Sequence, residues 1–297
     1  RDCLLSRGLG DVYKRQMYCL SILLGNGEGR DKNINIIYDW LKKSADQGCS
    51  IAMHLLGLLY SEGIDKDGFI LKQDYKEAIK WYERAVQLMN TDSMVSIGNM
   101  YYSGKGVAKD YSKAIEWYRK AADQNNPDAQ FELGNMYYHG KGLSKDYSKA
   151  VEWYCKAAEQ GNLSAMNALG NMYYSGKGVA KDYSKAIEWY RKATDEGYAA
   201  AQDNLANMYY DGKGVEQNFG IAIEWYRKAA AQGDADAMNN LGVCYTKGNG
   251  VAISIPTAMY WYKKAGDAGN QTAVDNYNQL YDLGYRAKAP DSTSNQK

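Results

Sequence analysis

The sequence predicts an all-α fold, a solenoid built from repeated antiparallel helix pairs. The first observation behind this is the tryptophan spacing. Trp40, Trp81, Trp117, Trp153, Trp189, Trp225 and Trp261 are the only tryptophans, and the steps between them are 41 residues and then 36 five times over. A fixed period of that size marks an array in which each helical module buries its apolar face only against its neighbours. The second is an internal identity: residues 99–121 and 171–193 both read NMYYSGKGVAKDYSKAIEWYRKA, so these side chains serve the scaffold at both places. The third is helical periodicity within each unit. Ala129, Leu133 and Tyr137 recur at i, i+4 and i+8, one stripe of a helix of period 3.6. Such an array offers a long surface and no obvious pocket, which favours binding over catalysis.

Residues 1–16 are expected to lie outside the fold. Asp11-Val12-Tyr13-Lys14-Arg15-Gln16 back-translates as GAT GTG TAT AAG AGA CAG, which resembles the end of a transposon-based sequencing-library adaptor joined to a truncated gene. The solenoid is expected over residues 17–285, with a partial unit at 17–50, in which Met17–Leu24 matches only the later part of a first helix. Full units follow at 51–90, 91–126, 127–162, 163–198, 199–234 and 235–270. The long step from Trp40 to Trp81 puts five extra residues into Ile64–Gln73, between two helices, and insertions in a solenoid emerge on one edge.

The unit at 127–162 serves as the pattern. Pro127 suits a first helical turn, and Gly134 admits a neighbouring helix. The loop Gly140-Lys141-Gly142 ends the helix, and Asp146 is placed to cap the next one. In that second helix Ala150, Trp153, Tyr154 and Ala157 share a face, while Glu152 and Lys156 stand at i, i+4 on the outer side. Gly161 closes the unit. The unit at 199–234 departs from the pattern: Ala206 takes the place of the usual glycine, and Gly220 falls near the start of its second helix, predicting a weaker first turn. Gln271–Leu283 reads as a capping helix within 271–285, with Tyr277 and Asn278 in the leucine and glycine positions. Residues 286–297 read as a disordered tail.

Composition excludes several classes. The net charge is +1, from 36 basic and 35 acidic residues, which gives no case for nucleic acid. No apolar run approaches the roughly 20 residues of a membrane span. Cys3, Cys19, Cys49, Cys155 and Cys244 share no repeat position and no C-x-x-C spacing, which argues against a disulfide framework or a thiolate metal site. The Gly-Lys-Gly loops at Lys105, Lys141, Lys177 and Lys213 lack the spacing and context of a phosphate loop and read as solvated charge. Asp65-Lys66-Asp67-Gly68 lacks the ligand spacing of a calcium loop. His54 and His139, the latter expected in a loop, have no partners for a triad or zinc site. Glu116, Glu152, Glu188 and Glu224 read as solvated helix charge, and the tryptophans as core. No cofactor and no metal site is expected.

Leu169-Gly170, Tyr173, Gly176-Lys177-Gly178-Val179, Asp182, Lys185-Ala186, Trp189-Tyr190 and Lys192-Ala193 carry a motif that recurs in most units. It resembles the Sel-one-like repeat, a relative of the tetratricopeptide repeat, over about residues 17–285. The resemblance implies a right-handed superhelix of paired helices and an adaptor role, since such proteins hold partners in signalling complexes, in protein degradation at the endoplasmic reticulum and in bacterial host interaction. A cysteine-rich branch is associated with β-lactam binding or hydrolysis, but its regular paired cysteines are absent here.

The resemblance also implies that first helices line a concave groove. The face opposite Leu133 and Tyr137 then carries an asparagine ladder, Asn99, Asn135, Asn171 and Asn207. Beside it runs a tyrosine ladder, Tyr102, Tyr138, Tyr174 and Tyr210. An asparagine amide donates and accepts, so it is suited to clamp an extended peptide backbone, and tyrosine gives contact area with a polar tip. Phe131, Asn167, Asp203 and Asn239 occupy one equivalent site with differing side chains, the place for partner specificity. The expected function is a non-enzymatic scaffold for a protein or extended peptide. The alternatives are a β-lactam-binding or hydrolytic enzyme and a secreted host-interacting effector. The compartment, cytoplasmic or periplasmic and secreted, is left open.

Overall fold

A computed structural model describes residues 34–66 and 69–288 of the chain. The adaptor-like segment 1–16, the match at Met17–Leu24 and residues 289–297 of the tail lie outside the described residues, as do Asp67 and Gly68 of the faint calcium motif. Among the described residues are fourteen helices and one two-stranded hairpin. The order is α1 Ile34–Asp46, α2 Ser50–Glu62, β1 Ile64–Lys66, β2 Phe69–Leu71, α3 Tyr75–Gln87, α4 Thr91–Ser103, α5 Tyr111–Ala122 and α6 Pro127–His139. Then follow α7 Tyr147–Glu159, α8 Leu163–Ser175, α9 Tyr183–Asp195, α10 Ala199–Asp211, α11 Phe219–Ala231, α12 Ala235–Lys247, α13 Ile255–Asp267 and α14 Gln271–Asp282. The chain falls into two compact units, Arg1–Asp146 and Tyr147–Lys297, each described by itself.

The repeat's local chemistry explains where helices begin and end. Second helices start on a side-chain cap: Asp74, Asp110, Asp182, Asn218 and Ser254 each accept from a backbone N–H of the first turn. First helices start on Asn90, Asn126, Asn162, Asp234 and Asn270 in the same way, satisfying donors that a helix end otherwise leaves open. The Asn126 cap reaches back as well, its Nδ2 donating to Thr91 Oγ1 at 3.0 Å and Asp92 Oδ1 at 2.8 Å in the preceding repeat. With Asn218 as its cap, α11 starts at Phe219, the position equivalent to the starts of α5 and α9, so Gly220 does not delay it. First helices end on left-handed glycines such as Gly104 and Gly176. Two residues on, Gly178 is required twice over: its φ is +71°, and a Cβ there would lie 2.4 Å from the Tyr147 carbonyl oxygen.

The extra residues after α2 form a strand hairpin, with Ile64 opposite Leu71, Asp65 opposite Ile70 and Lys66 opposite Phe69. No helical or strand period was legible in so short a stretch. The hairpin leaves the repeat undisturbed because its exit meets the usual anchor. Asp74 N–H donates to Tyr60 O at 2.8 Å, as Asp110 does to Tyr101 O and Asp182 to Tyr173 O, both at 2.9 Å.

The core aromatic is the tyrosine that follows each tryptophan from Trp81 onward; after Trp40 the buried residue is Leu41. Tyr82, Tyr118, Tyr190, Tyr226 and Tyr262 are all buried. Each lies against a small residue of the first helix of its pair: a Cβ added at Gly57, Gly98, Gly170 or Gly242 would come within 2.5 Å of the ring of Tyr82, Tyr118, Tyr190 or Tyr262. In the unit at 199–234 the methyl of Ala206 is accommodated beside Tyr226 in one cluster with Leu241 and Tyr262. The tryptophans depart from expectation. Trp40 is 48% exposed, Trp81 is buried, and the other five are half-buried. They serve as platforms for the cation three residues on: Lys120, Lys156, Lys192 and Lys228 lie 4.0–4.4 Å above Trp117, Trp153, Trp189 and Trp225, a geometry that draws a cation onto the ring face. Lys156 therefore covers Trp153 and makes no ion pair with Glu152.

Candidate functional site

In the first unit the first-helix residues converge on a cavity of about 580 Å³, contrary to the expectation of a surface without a pocket. Asn99 and Asn135 line it beside Tyr102 and Tyr118. Asn99 is exposed and its Oδ1 accepts from the buried Tyr118 hydroxyl at 2.7 Å. Asn135 donates from Nδ2 to Glu132 Oε2 at 3.2 Å. Burial pushes the Glu132 carboxyl above the ordinary carboxylate range, partly opposed by that hydrogen bond. Tyr102 accepts at its hydroxyl from Lys141 Nζ and packs its ring 5.3 Å from Tyr111. Phe131 and Tyr138 are half-buried, Tyr138 at 4.9 Å from the His139 ring. His139 is the last residue of α6 rather than a loop residue, and it also lines the cavity.

In the second unit the same face is a chain of amide clasps. Asn171 is exposed and accepts from the buried Tyr190 hydroxyl at 2.7 Å, and Asn207 accepts from Tyr226 at 2.6 Å. Asn167 Oδ1 accepts from Asn204 Nδ2 at 2.8 Å. One repeat on, Asp203 Oδ1 accepts from Asn240 Nδ2 at 2.9 Å, and its Oδ2 from Asn207 Nδ2 at 3.0 Å. One repeat further, Asn239 Oδ1 accepts from Asn276 Nδ2 at 3.2 Å. Asp203 is buried, and desolvation, added to by Asp234 and Asp236 and opposed by its two amide donors, pushes its carboxyl up to about 7. Tyr174 accepts from Lys213 Nζ at 2.6 Å, and Tyr210 from Asn249 Nδ2 at 2.6 Å.

Lys141 and Lys213 are thus repeat-to-repeat contacts and not solvated loop charge. Their tyrosine partners lie 39 residues earlier in the chain, a spacing that becomes meaningful only once the loop's path past the next first helix is known. Glu132, Asn204, Asn240 and Asn276 also escaped the sequence reading. A signal was present: each sits one residue after the variable site Phe131, Asp203, Asn239 or Asp275, and three of the four are asparagines.

Both identical 23-residue segments place their ladder residues alike. Asn99 and Asn171 each have the carboxamide oxygen fixed by a core tyrosine, and neither amide NH2 has a hydrogen-bond partner among the described residues. That is a preorganised, exposed donor. Cys49, Cys155 and Cys244 form no disulfide among the described residues; burial pushes Cys244 up to about 11 and raises Cys155, so neither of these two is an activated nucleophile. Among the described residues no group of three His, Cys, Asp or Glu side chains is arranged to hold a metal, and no helix is long and apolar enough to cross a membrane.

Stacked helix pairs joined by glycine-ended loops, with a polar ladder on the first helices, define a tetratricopeptide-like repeat protein. The model of the Sel1 repeat matches residues 17–49, 50–88, 91–126, 127–162, 163–198, 199–234 and 235–270, and the chain belongs to the Sel1 repeat family. Proteins of this family are generally protein-interaction scaffolds and typically non-enzymatic. No curated protein sequence matches the chain. Among solved structures it is similar to c5321, a protective antigen of uropathogenic Escherichia coli. The likeness has 34% identity and a TM-score of 0.65, and covers 93% of this chain and 58% of that one. The chain thus spans little more than half of that protein's length. A Sel1 repeat protein from Oxalobacter formigenes is 29% identical, with a TM-score of 0.65 and 93% and 98% of the two chains covered. An immunity protein from Pseudomonas aeruginosa shares the fold at 24% identity, with a TM-score of 0.50 and 80% and 84% covered.

Proposed function

We propose that the protein is a non-enzymatic adaptor that binds an extended segment of another protein along its first-helix faces. The observation that supports this most is the paired state of Asn99 and Asn171. The core tyrosine holds each carboxamide in one orientation, which leaves an exposed N–H donor suited to a peptide carbonyl at no further ordering cost. The half-buried Tyr102 and Tyr174 beside them supply apolar area with a polar tip.

Asn99→Asp with Asn171→Asp tests the reading cleanly. Aspartate keeps the acceptor that Tyr118 and Tyr190 need and removes the amide donor. The double variant is expected to keep its helicity and melting temperature within about 3 °C, an effect below about 1 kcal/mol, and to bind its partner at least tenfold more weakly. Unaltered partner affinity, measured by titration calorimetry, would remove the ladder from the site. A second reading, a host-interacting protein, is favoured by the likeness to the E. coli protective antigen. It predicts detection by antibody on intact cells or in culture supernatant, and confinement to the cell interior would refute it.

A further inference from the structure

The geometry points to the cavity of the first unit as a receptor for an arginine side chain of the bound polypeptide. This rests on the adaptor reading and specifies what one of its pockets takes. Glu132 lines the cavity, at a register where the other repeats have Ser96, Ala168, Asn204 and Asn240. Its carboxylate is half-buried, and among the described residues it receives a single hydrogen bond, the 3.2 Å contact from Asn135 Nδ2, and pairs with no basic side chain. A carboxylate taken out of water without a cation is costly to keep, and a planar two-pronged donor fits it better than any other side chain. Aromatic surface is at hand: the half-buried Tyr75 and Tyr102 line the space, backed by the buried Tyr82 and Tyr118, and guanidinium stacks on tyrosine faces. Glu62 stands at the same cavity as a second acid. Lys105 also lines it, with its Nζ 5.7 Å from the Tyr75 ring, so the two acids outnumber the one lysine. A volume of about 580 Å³ exceeds that of one side chain and leaves room for the flanking backbone.

The probe is acetyl-arginine-amide, with acetyl-citrulline-amide as its neutral, nearly isosteric control. Binding is read from the side-chain amide NMR signals of Asn99 and Asn135. The arginine compound is expected to shift both signals saturably, at least tenfold more tightly than citrulline. Glu132→Gln is expected to abolish that preference while leaving the fold intact. Equal binding of the two compounds to the wild type overturns the inference, as does a preference that survives Glu132→Gln. The adaptor reading is judged separately: if the pocket fails, Glu132→Gln leaves partner affinity unaltered while the Asn→Asp pair still weakens it.

Discussion

The two compact units contain the same 23-residue segment, yet their first-helix faces differ. In the first, Asn99 and Tyr102 border an open cavity that Glu132 also lines. In the second, Asn171 and Tyr174 stand beside a face closed by side-chain clasps between successive repeats: Asn167 with Asn204, Asp203 with Asn240, Asn239 with Asn276. The contacts made inside the shared segment are the same in both, Tyr118 to Asn99 and Tyr190 to Asn171, each at 2.7 Å. The difference therefore lies among the 13 residues of each 36-residue repeat that the duplicated segment does not include, Glu132 and Asn204 among them. The repeat supplies a scaffold that is indifferent to its neighbours, and the variable pair at 131/132, 167/168, 203/204 and 239/240 decides whether a face is open or sealed.

The largest effect tests the sameness of the scaffold. Tyr118→Ala and Tyr190→Ala each empty a fully buried aromatic site beside a glycine and are expected to destabilise by about 3–5 kcal/mol. Chemical denaturation should give values that agree within about 1 kcal/mol. A disparity of several kcal/mol would show that neighbours, and not the repeat, set the core.

Next in size is the sealed face. Burial pushes the Asp203 carboxyl up to about 7 in the fold, against the ordinary aspartate value of 3.8 in the unfolded chain. A raised folded value means the folded state holds the proton more tightly, so its contribution is complete below about pH 4 and is lost as pH rises through 7. Asp203→Asn gives this site the residue that Asn167 already has. It removes the ionisation penalty but also one of the two acceptors that Asn207 and Asn240 use, so it is expected to be less stable than the wild type at pH 4 and to gain on it by about 1–3 kcal/mol by pH 8, discounted from the full linkage value of roughly 1.4 kcal/mol per unit. Melting temperatures at the two pH values check this, and a gain independent of pH would contradict it.

Smaller still are the staples. Lys141→Met removes the hydrogen bond to Tyr102 and is expected to cost about 0.5–1 kcal/mol. Lys213→Met removes the bond to Tyr174 and the exposed ion pair with Asp211 and is expected to cost the same or slightly more, read by chemical denaturation; a smaller loss than at Lys141 would contradict this.

The helix pairs were legible because the 36-residue period, the glycine-ended loops and the Asp and Asn caps all act locally. The tryptophans after Trp81 misled for a physical reason: an indole repeated at a fixed period reads as core, but at Trp117, Trp153, Trp189 and Trp225 a lysine on the same helix lies over the ring. The buried member is the neighbouring tyrosine, whose hydroxyl finds its acceptor 19 residues earlier, on the partner helix. The hairpin at Ile64–Leu71 was too short to show a period. The cavity was not legible because it depends on residues from three successive repeats, among them Glu62, Asn99 and Glu132, that no single unit's pattern joins.

The central claim is that partners lie on the first-helix faces. Site-specific photo-crosslinking tests it most directly, with benzoylphenylalanine placed in turn at Tyr102, Tyr174, Glu116 and Glu188 and the partner present at saturating concentration. The expected result is capture from Tyr102 or Tyr174 and none from Glu116 and Glu188, which are exposed on second helices. Capture from the glutamate positions, with none from the tyrosines, would contradict it.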